Sequence, residues 1–340
     1  MKASLDAKET SYTGNSGMME LREAISHHFE QRYGVHYDPK DEILVTVGVS
    51  EGLAMALLAI TEPGDEVIIP DPAYVAYPAS VELAGGTPVF VPTYPEHDFK
   101  LTVEALEKVI TPKTKAIVIG YPNNPTGTVM SAEELMPIAK FAEEHDLIVL
   151  SDEIYCELMY GVAKFTSFAK LPGMRERTVI FNGFSKAYAM TGMRLGYVCA
   201  PREGLAPILK LHQYAIMCAN TTAQVGGITA LKECDDDVEA MRQEYDRRRK
   251  VIYKGLCDMG LPVFEPKGAF YIFPDIRCTG MTSAEFCEKL VQEEKVAVVP
   301  GTAFGDQGEG FVRISYAASM DTIQEALKRM ARFVAKYRKD

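Results

Sequence analysis

Residues 182–197 read Asn182-Gly183-Phe184-Ser185-Lys186-Ala187-Tyr188-Ala189-Met190-Thr191-Gly192-Met193-Arg194-Leu195-Gly196-Tyr197. A β-branched and aromatic run, Thr178 to Asn182, leads into this stretch, and a second strand-like run, Gly196 to Ala200, leads out of it. Lys186 therefore follows a buried strand and should lie at the edge of a sheet, where a cleft can form. Burial there would lower the pKa of its amine, as a lysine that forms a Schiff base requires. Most lysines are solvated surface charges, so the neighbouring motifs decide between the two interpretations.

Strand-like and helix-like segments alternate before residue 201. The predicted strands are Ile43–Val47, Glu66–Ile69, Thr87–Val91, Lys115–Ile119, Leu147–Ser151, Thr178–Phe181 and Gly196–Ala200. The predicted helices between them are Glu51–Ile60, Tyr77–Ala84, Thr102–Val109 and Ala132–His145. Strands that are apolar on both faces, separated by amphipathic helices, predict an α/β fold whose mostly parallel central sheet is covered by helices. Ligands of such sheets bind beyond the carboxyl ends of the strands.

The pattern changes after Pro201. Longer helical stretches, Gly204–Met217, Gln224–Glu233 and Val238–Met259, come first. They are followed by predicted strands Val263–Glu265, Ala269–Phe273, Val296–Val299 and Phe311–Ser315, with helices Ser283–Glu293 and Thr322–Tyr337. This order predicts a smaller C-terminal α/β domain that is joined to the first by a long helix.

Composition narrows the class of protein. An apolar content of 47% in 340 residues is enough for a large core and for two domains. The net charge of -11 argues against a nucleic-acid or anionic-membrane surface. Seven cysteines without CxxC or Cys/His spacing predict reduced thiols in a cytoplasmic protein and no metal site. The N-terminal residues contain no hydrophobic segment of signal type, and no stretch reads as a membrane span.

Two carboxyl-end motifs carry candidate cofactor ligands. Asp152 ends an apolar strand in Ser-Asp-Glu-Ile-Tyr, and it is either a helix N-cap or the partner of a protonated pyridine nitrogen. Tyr155, three residues on, could reach the same site. Asn124 lies between two prolines in a rigid turn, where its amide could bind a phenolate oxygen or a carboxylate, although an ordinary loop is also possible.

Other residues suit anionic or planar ligands. Gly48-Val49-Ser50-Glu51 joins a strand to a helix start and is either a plain N-cap or a phosphate cradle. Arg194 would supply a cation near Lys186 or remain a surface arginine. Tyr74 could stack on a planar ring or pack in the core. Arg313, inside an apolar strand, fits either a substrate carboxylate or a structural salt bridge.

Taken together, these motifs resemble a known family, the class I/II (fold-type I) aminotransferases that depend on pyridoxal 5'-phosphate (PLP), in the aspartate/aromatic aminotransferase branch. The resemblance runs from about Tyr12 to the C-terminus. It depends on the ordered motifs Asn-Asn-Pro-Thr-Gly, Ser-Asp-Glu-x-Tyr, Ser-Lys with Gly-x-Arg-x-Gly-Tyr, and Val-Arg-x-Ser-Tyr. The combination is far more specific than any one motif.

The resemblance implies a role for each candidate residue. Lys186 forms the Schiff base with PLP, Asp152 pairs with the pyridine nitrogen, and Tyr74 stacks on the ring. Substrate would contact Arg313 through its α-carboxylate, with Asn124 and Phe270 lining the same side. The remaining implied cofactor ligands are Asn124 and Tyr155 at the ring oxygen, and Val49, Ser50, Ser185, Arg194 and the partner subunit's Tyr12 at the phosphate.

The resemblance also implies a reaction and an assembly. The reaction is transfer of an amino group from an L-amino acid to a 2-oxo acid by a ping-pong mechanism, with glutamate and 2-oxoglutarate as one pair. The assembly is a homodimer with shared active sites. The implied domains are a large PLP-binding domain (12–215), a connecting helical region (216–245) and a small C-terminal domain (246–340).

The N-terminus departs from the family pattern. Members of the family carry a few dozen residues before the position of Tyr12, whereas only eleven precede it here. Part of the small domain is therefore expected to be missing, either by truncation or in a naturally short form. In both cases closure over substrate should suffer more than cofactor binding.

Two other functions remain open on the same scaffold. One is another PLP-dependent enzyme, such as a C–S β-lyase or a racemase-like member. The other is a non-catalytic protein with this fold, which the full set of Lys186, Asp152, Arg194 and Arg313 disfavours. A nicotinamide dehydrogenase and a P-loop NTPase are disfavoured because the sequence lacks GxGxxG after a strand and GxxxxGK[ST].

Overall fold

A seven-stranded sheet forms the centre of the computed structural model, which describes residues 1–339. Its strands are β1 (Ile43–Thr46), β2 (Glu66–Asp71), β3 (Thr87–Pro92), β4 (Thr114–Ile119), β5 (Ile148–Asp152), β6 (Thr178–Gly183) and β7 (Gly196–Cys199). They lie in the order β1-β7-β6-β5-β4-β2-β3, and β7 runs antiparallel to both of its neighbours, whereas the other pairs are parallel. The predicted mostly parallel sheet is confirmed.

Helices cover both faces of this sheet because its inner strands are apolar on both sides. In β6, for example, Ile180 packs on one face while Val179 and Phe181 pack on the other. The helices up to residue 233 are α1 (Lys2–Asp6), α2 (Met19–Tyr33), α3 (Val49–Ile60), α4 (Ala76–Leu83), α5 (Val103–Leu106), α6 (Ala132–Glu144), α7 (Arg202–Ala215) and α8 (Thr221–Glu233). Helices α3, α4 and α7 line one face, and α2, α5, α6 and α8 line the other.

A second, antiparallel sheet follows the long helix α9 (Asp235–Asp258). Its strands are β8 (Tyr271–Ile272), β9 (Val299–Pro300) and β10 (Val312–Ser315), in the order β8-β10-β9. The helices α10 (Ser283–Glu294) and α11 (Met320–Tyr337) pack with it around a separate apolar core. We call residues 259–339, which follow α9, the C-terminal unit.

The predicted strand Val263–Glu265 is wrong, because this segment has no strand structure. Pro262 and Pro266 flank it, and neither can donate a backbone hydrogen bond to a ladder. The predicted strand Ala269–Phe273 shortens to Tyr271–Ile272, and Ala269 has a left-handed φ of 58°.

The C-terminal unit is fixed against the carboxyl edge of the large sheet by a short backbone pairing. Ala269 N–H donates to Leu158 O, and Tyr160 N–H donates to Lys267 O, both at 2.9 Å. This pairing holds β8 and β10 opposite the strand ends, and a cleft lies between them.

Candidate active site

Five polar motifs meet at one edge of the large sheet. Parallel strands point their carboxyl ends in one direction, so the segments that follow β1, β2, β4, β5 and β6 converge there. They are Gly48–Glu51, Asp71–Tyr74, Tyr121–Gly127, Asp152–Tyr155 and Ser185–Lys186. The placement of these motifs follows directly from the parallel topology.

Lys186 is half-buried in this cleft, three residues beyond the end of β6. Its Nζ lies 5.8 Å from the ring centre of Tyr155 and 5.6 Å from that of Phe270. Burial lowers the pKa of this amine, and the charges of Arg194 and Arg313 lower it further, while Asp152 opposes them. A neutral, nucleophilic amine is therefore more accessible here than on the surface.

Asp152 is the last residue of β5 and is buried. Its Oδ2 accepts a hydrogen bond from Tyr77 Oη at 2.8 Å, and its Oδ1 accepts one from Ile154 N–H at 3.2 Å. Burial raises the pKa of the carboxyl, although both hydrogen bonds and the charge of Lys186 oppose that rise. No helix begins at Asp152, so the N-cap alternative is wrong. A buried carboxylate of this kind gains most from a cationic partner.

Tyr77 is a site residue that the sequence analysis did not single out. It lies in α4, fully enclosed, and its ring meets that of Tyr74 edge-on at 5.6 Å between centroids. The available signal was its position at the start of the predicted helix Tyr77–Ala84, three residues after the candidate Tyr74. Its hydroxyl orients the Asp152 carboxylate.

Arg313 reaches the cleft from β10. Its Nη1 donates to Asn124 Oδ1 at 2.9 Å, so its partner is an amide oxygen rather than the carboxylate of a structural salt bridge. The guanidinium lies between two aromatic rings, 4.5 Å from the centre of Tyr271 and 4.6 Å from that of Phe304. Its Nε is buried and has no hydrogen-bond partner among the described residues. This cation is oriented but not neutralised, and it suits a carboxylate ligand.

The turn before α3 forms an anion cradle. Gly48 has a left-handed φ of 80°, and a Cβ on it would come within 2.6 Å of Arg194 Nη2. A side chain at position 48 would be strained at this φ and would displace the Arg194 guanidinium from the helix N-terminus. Val49 and Ser50 begin the helix, and the Ser50 side chain is exposed. Free backbone amides, a hydroxyl and a guanidinium together fit a phosphate group.

The remaining candidate residues differ in their contacts and in their exposure. Phe270 and Tyr155 meet edge-on at 5.5 Å between centroids, and Ser185 is half-buried beside Lys186. Tyr12 is different, because it is 81% exposed and stands outside the cleft of its own chain.

Tyr271 and Phe304 are two further residues at the site. Tyr271 ends the segment Gly268–Tyr271, which by resemblance lines the substrate side, whereas Phe304 was missed by the sequence analysis. Tyr271 Oη lies 3.0 Å from Tyr155 Oη, and both rings flank Arg313. No sequence signal distinguishes Phe304 from a core residue, since its partner Arg313 is recognised only in the folded chain.

The fold and this arrangement define a transferase of the fold-type I class. The chain belongs to the class I and II aminotransferase family, whose model matches residues 1–330. It is 53% identical over 333 residues to the putative aminotransferase YugH of Bacillus subtilis, covering 98% of this chain and 86% of that protein. It is 50% identical over 331 residues to an aspartate aminotransferase of Pyrococcus abyssi, covering 97% of this chain and 85% of that protein.

A solved structure agrees in fold. The aromatic aminotransferase of Pyrococcus horikoshii superposes with a TM-score of 0.97 at 49% identity, over 98% of this chain and 90% of that one. The predicted family, fold and aminotransferase activity are thus confirmed. The family as a whole depends on PLP, and its substrates are small molecules. Among residues 1–339, no helix is long and apolar enough to cross a membrane.

Proposed function

We propose that this chain is a PLP-dependent enzyme that moves an amino group between an L-amino acid and a 2-oxo acid in a ping-pong cycle. Glutamate and 2-oxoglutarate form one substrate pair. The observation that carries the proposal is the convergence of Lys186, Asp152 and Arg313 in one cleft, with the lysine beside two aromatic rings and the arginine oriented but not neutralised.

The described residues fit the cofactor at both of its ends. At Gly48 the Arg194 guanidinium lies against the N-terminus of α3, where a phosphate would meet both the cation and the backbone amides. At the other end, buried Asp152 offers a carboxylate to a protonated ring nitrogen. The full set of residues that would hold PLP is Val49, Ser50, Tyr74, Asn124, Asp152, Tyr155, Ser185, Lys186 and Arg194, with the partner subunit's Tyr12.

Each side chain then has a defined task. Bound PLP supplies the electron sink that accepts the electron pair left on the amino acid Cα. Lys186 Nζ takes the Cα proton and returns it, since its lowered pKa keeps the neutral amine accessible. Arg313 binds the substrate α-carboxylate and, with Asn124 and Phe270, sets which hydrogen faces Lys186.

The assembly belongs to the same proposal. We assign residues 12–215 to a large domain, 216–245 to a connecting region and 246–340 to a small domain, in a cytoplasmic homodimer. Tyr12 and Tyr214 are 81% and 82% exposed in the single chain, as expected of aromatics that a second copy covers.

The test is the visible absorption spectrum of the PLP-loaded protein, recorded before and after addition of L-glutamate. The proposal expects a band that is lost with glutamate and restored by 2-oxoglutarate. Pyruvate and ammonia released from cystathionine without any oxo acid would instead identify a C–S β-lyase. A protein that forms no band, or an equally active Lys186→Ala variant, would contradict the proposal.

A further inference from the structure

Tyr271, in the C-terminal unit, contacts residues on both the proposed cofactor side and the proposed substrate side of the cleft. Its hydroxyl oxygen lies 3.0 Å from that of Tyr155, a residue in the segment that follows β5. Its ring face lies under the guanidinium of Arg313, 4.5 Å from centroid to guanidinium carbon. Both tyrosines are buried, at 6% and 7% exposure, so solvent offers their hydroxyls few alternative partners.

We propose that Tyr271 is a positioning residue with two separable parts: its hydroxyl aims the Tyr155 hydroxyl at the cofactor, and its ring holds the Arg313 guanidinium flat for the substrate carboxylate. The inference rests on the function proposed above and goes beyond it, since it assigns a role to a residue outside the expected ligand set.

The hydroxyl part follows from counting protons. Between two phenol oxygens in contact, only one can donate to the other. If Tyr155 donates to an oxygen of the bound cofactor, Tyr271 must donate to Tyr155. Burial raises the pKa of Tyr271, while the hydrogen bond with Tyr155 and the nearby charge of Arg313 oppose that rise, so the phenol stays protonated and can donate. Removing this donor leaves the Tyr155 proton free to point away from the cofactor.

The ring part follows from the geometry of Arg313. A guanidinium between two ring faces is held in one plane by cation–π contact. The rings of Tyr271 and Phe304 both lie against the guanidinium, and Asn124 Oδ1 accepts a hydrogen bond from its Nη1, so the orientation of the group is fixed from three directions. Phe304 carries no hydroxyl, and it therefore provides a matched control that tests the ring part alone.

Three variants separate the two parts. Tyr271→Phe keeps the ring and removes the hydroxyl, Tyr271→Leu removes both, and Phe304→Leu removes only the opposite ring. Two quantities are measured on each PLP-loaded protein. One is the apparent pKa of the visible cofactor band. The other is the dissociation constant of two carboxylates that lack an amino group, maleate and 3-phenylpropionate.

Tyr271→Phe should raise the apparent pKa of the band by about 0.7 unit, because a weaker donor at the cofactor oxygen stabilises its anionic form less. Its carboxylate affinity should stay within about twofold of wild type. Tyr271→Leu should show the same pKa shift and bind the carboxylates about 5- to 20-fold more weakly. Phe304→Leu should weaken carboxylate binding without moving the band.

A fourth variant guards against misfolding as the cause. In a Tyr155→Phe background, Tyr271→Phe should cause no further shift in the pKa of the band, because the Tyr155 hydroxyl that Tyr271 would orient is already absent. An unshifted band in Tyr271→Phe, or an equal shift in both backgrounds, would overturn the inference while leaving the proposed function intact. A wild-type protein without any visible band would overturn both.

Discussion

The carboxyl edge of the large sheet and the C-terminal unit build opposite walls of the cleft by different means. The edge presents Asp152 and Lys186 from the ends of adjacent strands that share a continuous ladder, β5 with β6. The C-terminal unit presents Arg313 and Tyr271 from strands of four and two residues. The wall with Asp152 and Lys186, which we call the cofactor wall after its proposed role, is therefore fixed by the sheet itself. The wall with Arg313 and Tyr271, which we call the substrate wall, is fixed by contacts with the opposite side.

Those contacts combine apolar packing with hydrogen bonds. Arg313 bonds to Asn124, Tyr271 bonds to Tyr155, and the loop that carries Phe304 is held by Asp71. Asp71 ends β2, and both of its carboxylate oxygens lie 3.3 Å from Gln307 N–H, while Ala73 N–H donates to Phe304 O. Damage to the cofactor wall should thus affect chemistry, and damage to the crossing contacts should affect substrate binding first.

Lys186→Ala should have the largest effect, since it removes the nucleophile and the proton carrier together. We expect kcat to fall at least about 10³-fold, within the range for loss of a general base. Measurement of single-turnover rates with glutamate checks this. Lys210→Ala, at an exposed position of α7, is the control and should keep wild-type rates. A comparable loss in that control would indicate damage to the fold rather than to the chemistry.

Arg313→Lys should distinguish the role of the substrate wall from that of the cofactor wall. An ammonium cannot lie flat between Tyr271 and Phe304 or bind a carboxylate with two parallel bonds. We expect KM for the amino acid to rise about 10²-fold, with a smaller change in kcat. Steady-state kinetics over a range of glutamate concentrations gives both values, and Arg332→Lys, 61% exposed, is the matched control. A fall in kcat at unchanged KM would contradict this division of roles.

Asp71 gives a pH-dependent test of the contact that crosses the cleft. Burial, with the charge of Asp306, raises the pKa of its carboxyl from 3.8 to about 6, against the hydrogen bonds from Gln307 and Asp306. The folded-state pKa lies above the unfolded one, so this group favours folding below pH 4 and loses that contribution as the pH rises to 6. The loss amounts to at most about 3 kcal/mol, from roughly 2 units at 1.36 kcal/mol each.

The free energy of unfolding in urea, measured from pH 3.5 to 8, tests this sign. Relative to Asp71→Asn, wild type should lose stability between pH 4 and 6 and then remain level. Asp146→Asn, whose carboxylate is exposed, should leave the profile unchanged. A wild type that gains stability over this interval relative to Asp71→Asn would reverse the assigned sign.

Tyr77→Phe should have the smallest effect and sharpen the description of the cofactor wall. It leaves Asp152 Oδ2 without its donor in a buried site, a cost of about 1–3 kcal/mol. We expect PLP to bind about tenfold more weakly and the affinity for carboxylates to remain unchanged. Equilibrium titration with PLP measures the first. Tyr37→Phe, another fully buried tyrosine, should leave both affinities unaltered.

The sequence predicted the cofactor wall well for a physical reason. In a parallel sheet every loop after a strand reaches the same edge, so the motifs after β1, β4, β5 and β6 had to meet once the strands were assigned. The helix α2 was left unassigned although Leu21, Ile25 and Phe29 recur at helical spacing and are all fully buried. That omission reflects an unused signal rather than a missing one.

Local patterns and their order along the chain were enough to predict the fold class and the family, and they supplied Lys186 as the proposed nucleophile. Tertiary structure alone decided the partners of these residues. Tyr77 meets Asp152 across 75 positions, Tyr271 meets Tyr155 across 116, and Arg313 meets Asn124 across 189. No periodicity encodes such pairs, since each depends on how the C-terminal unit and the helices settle against the sheet.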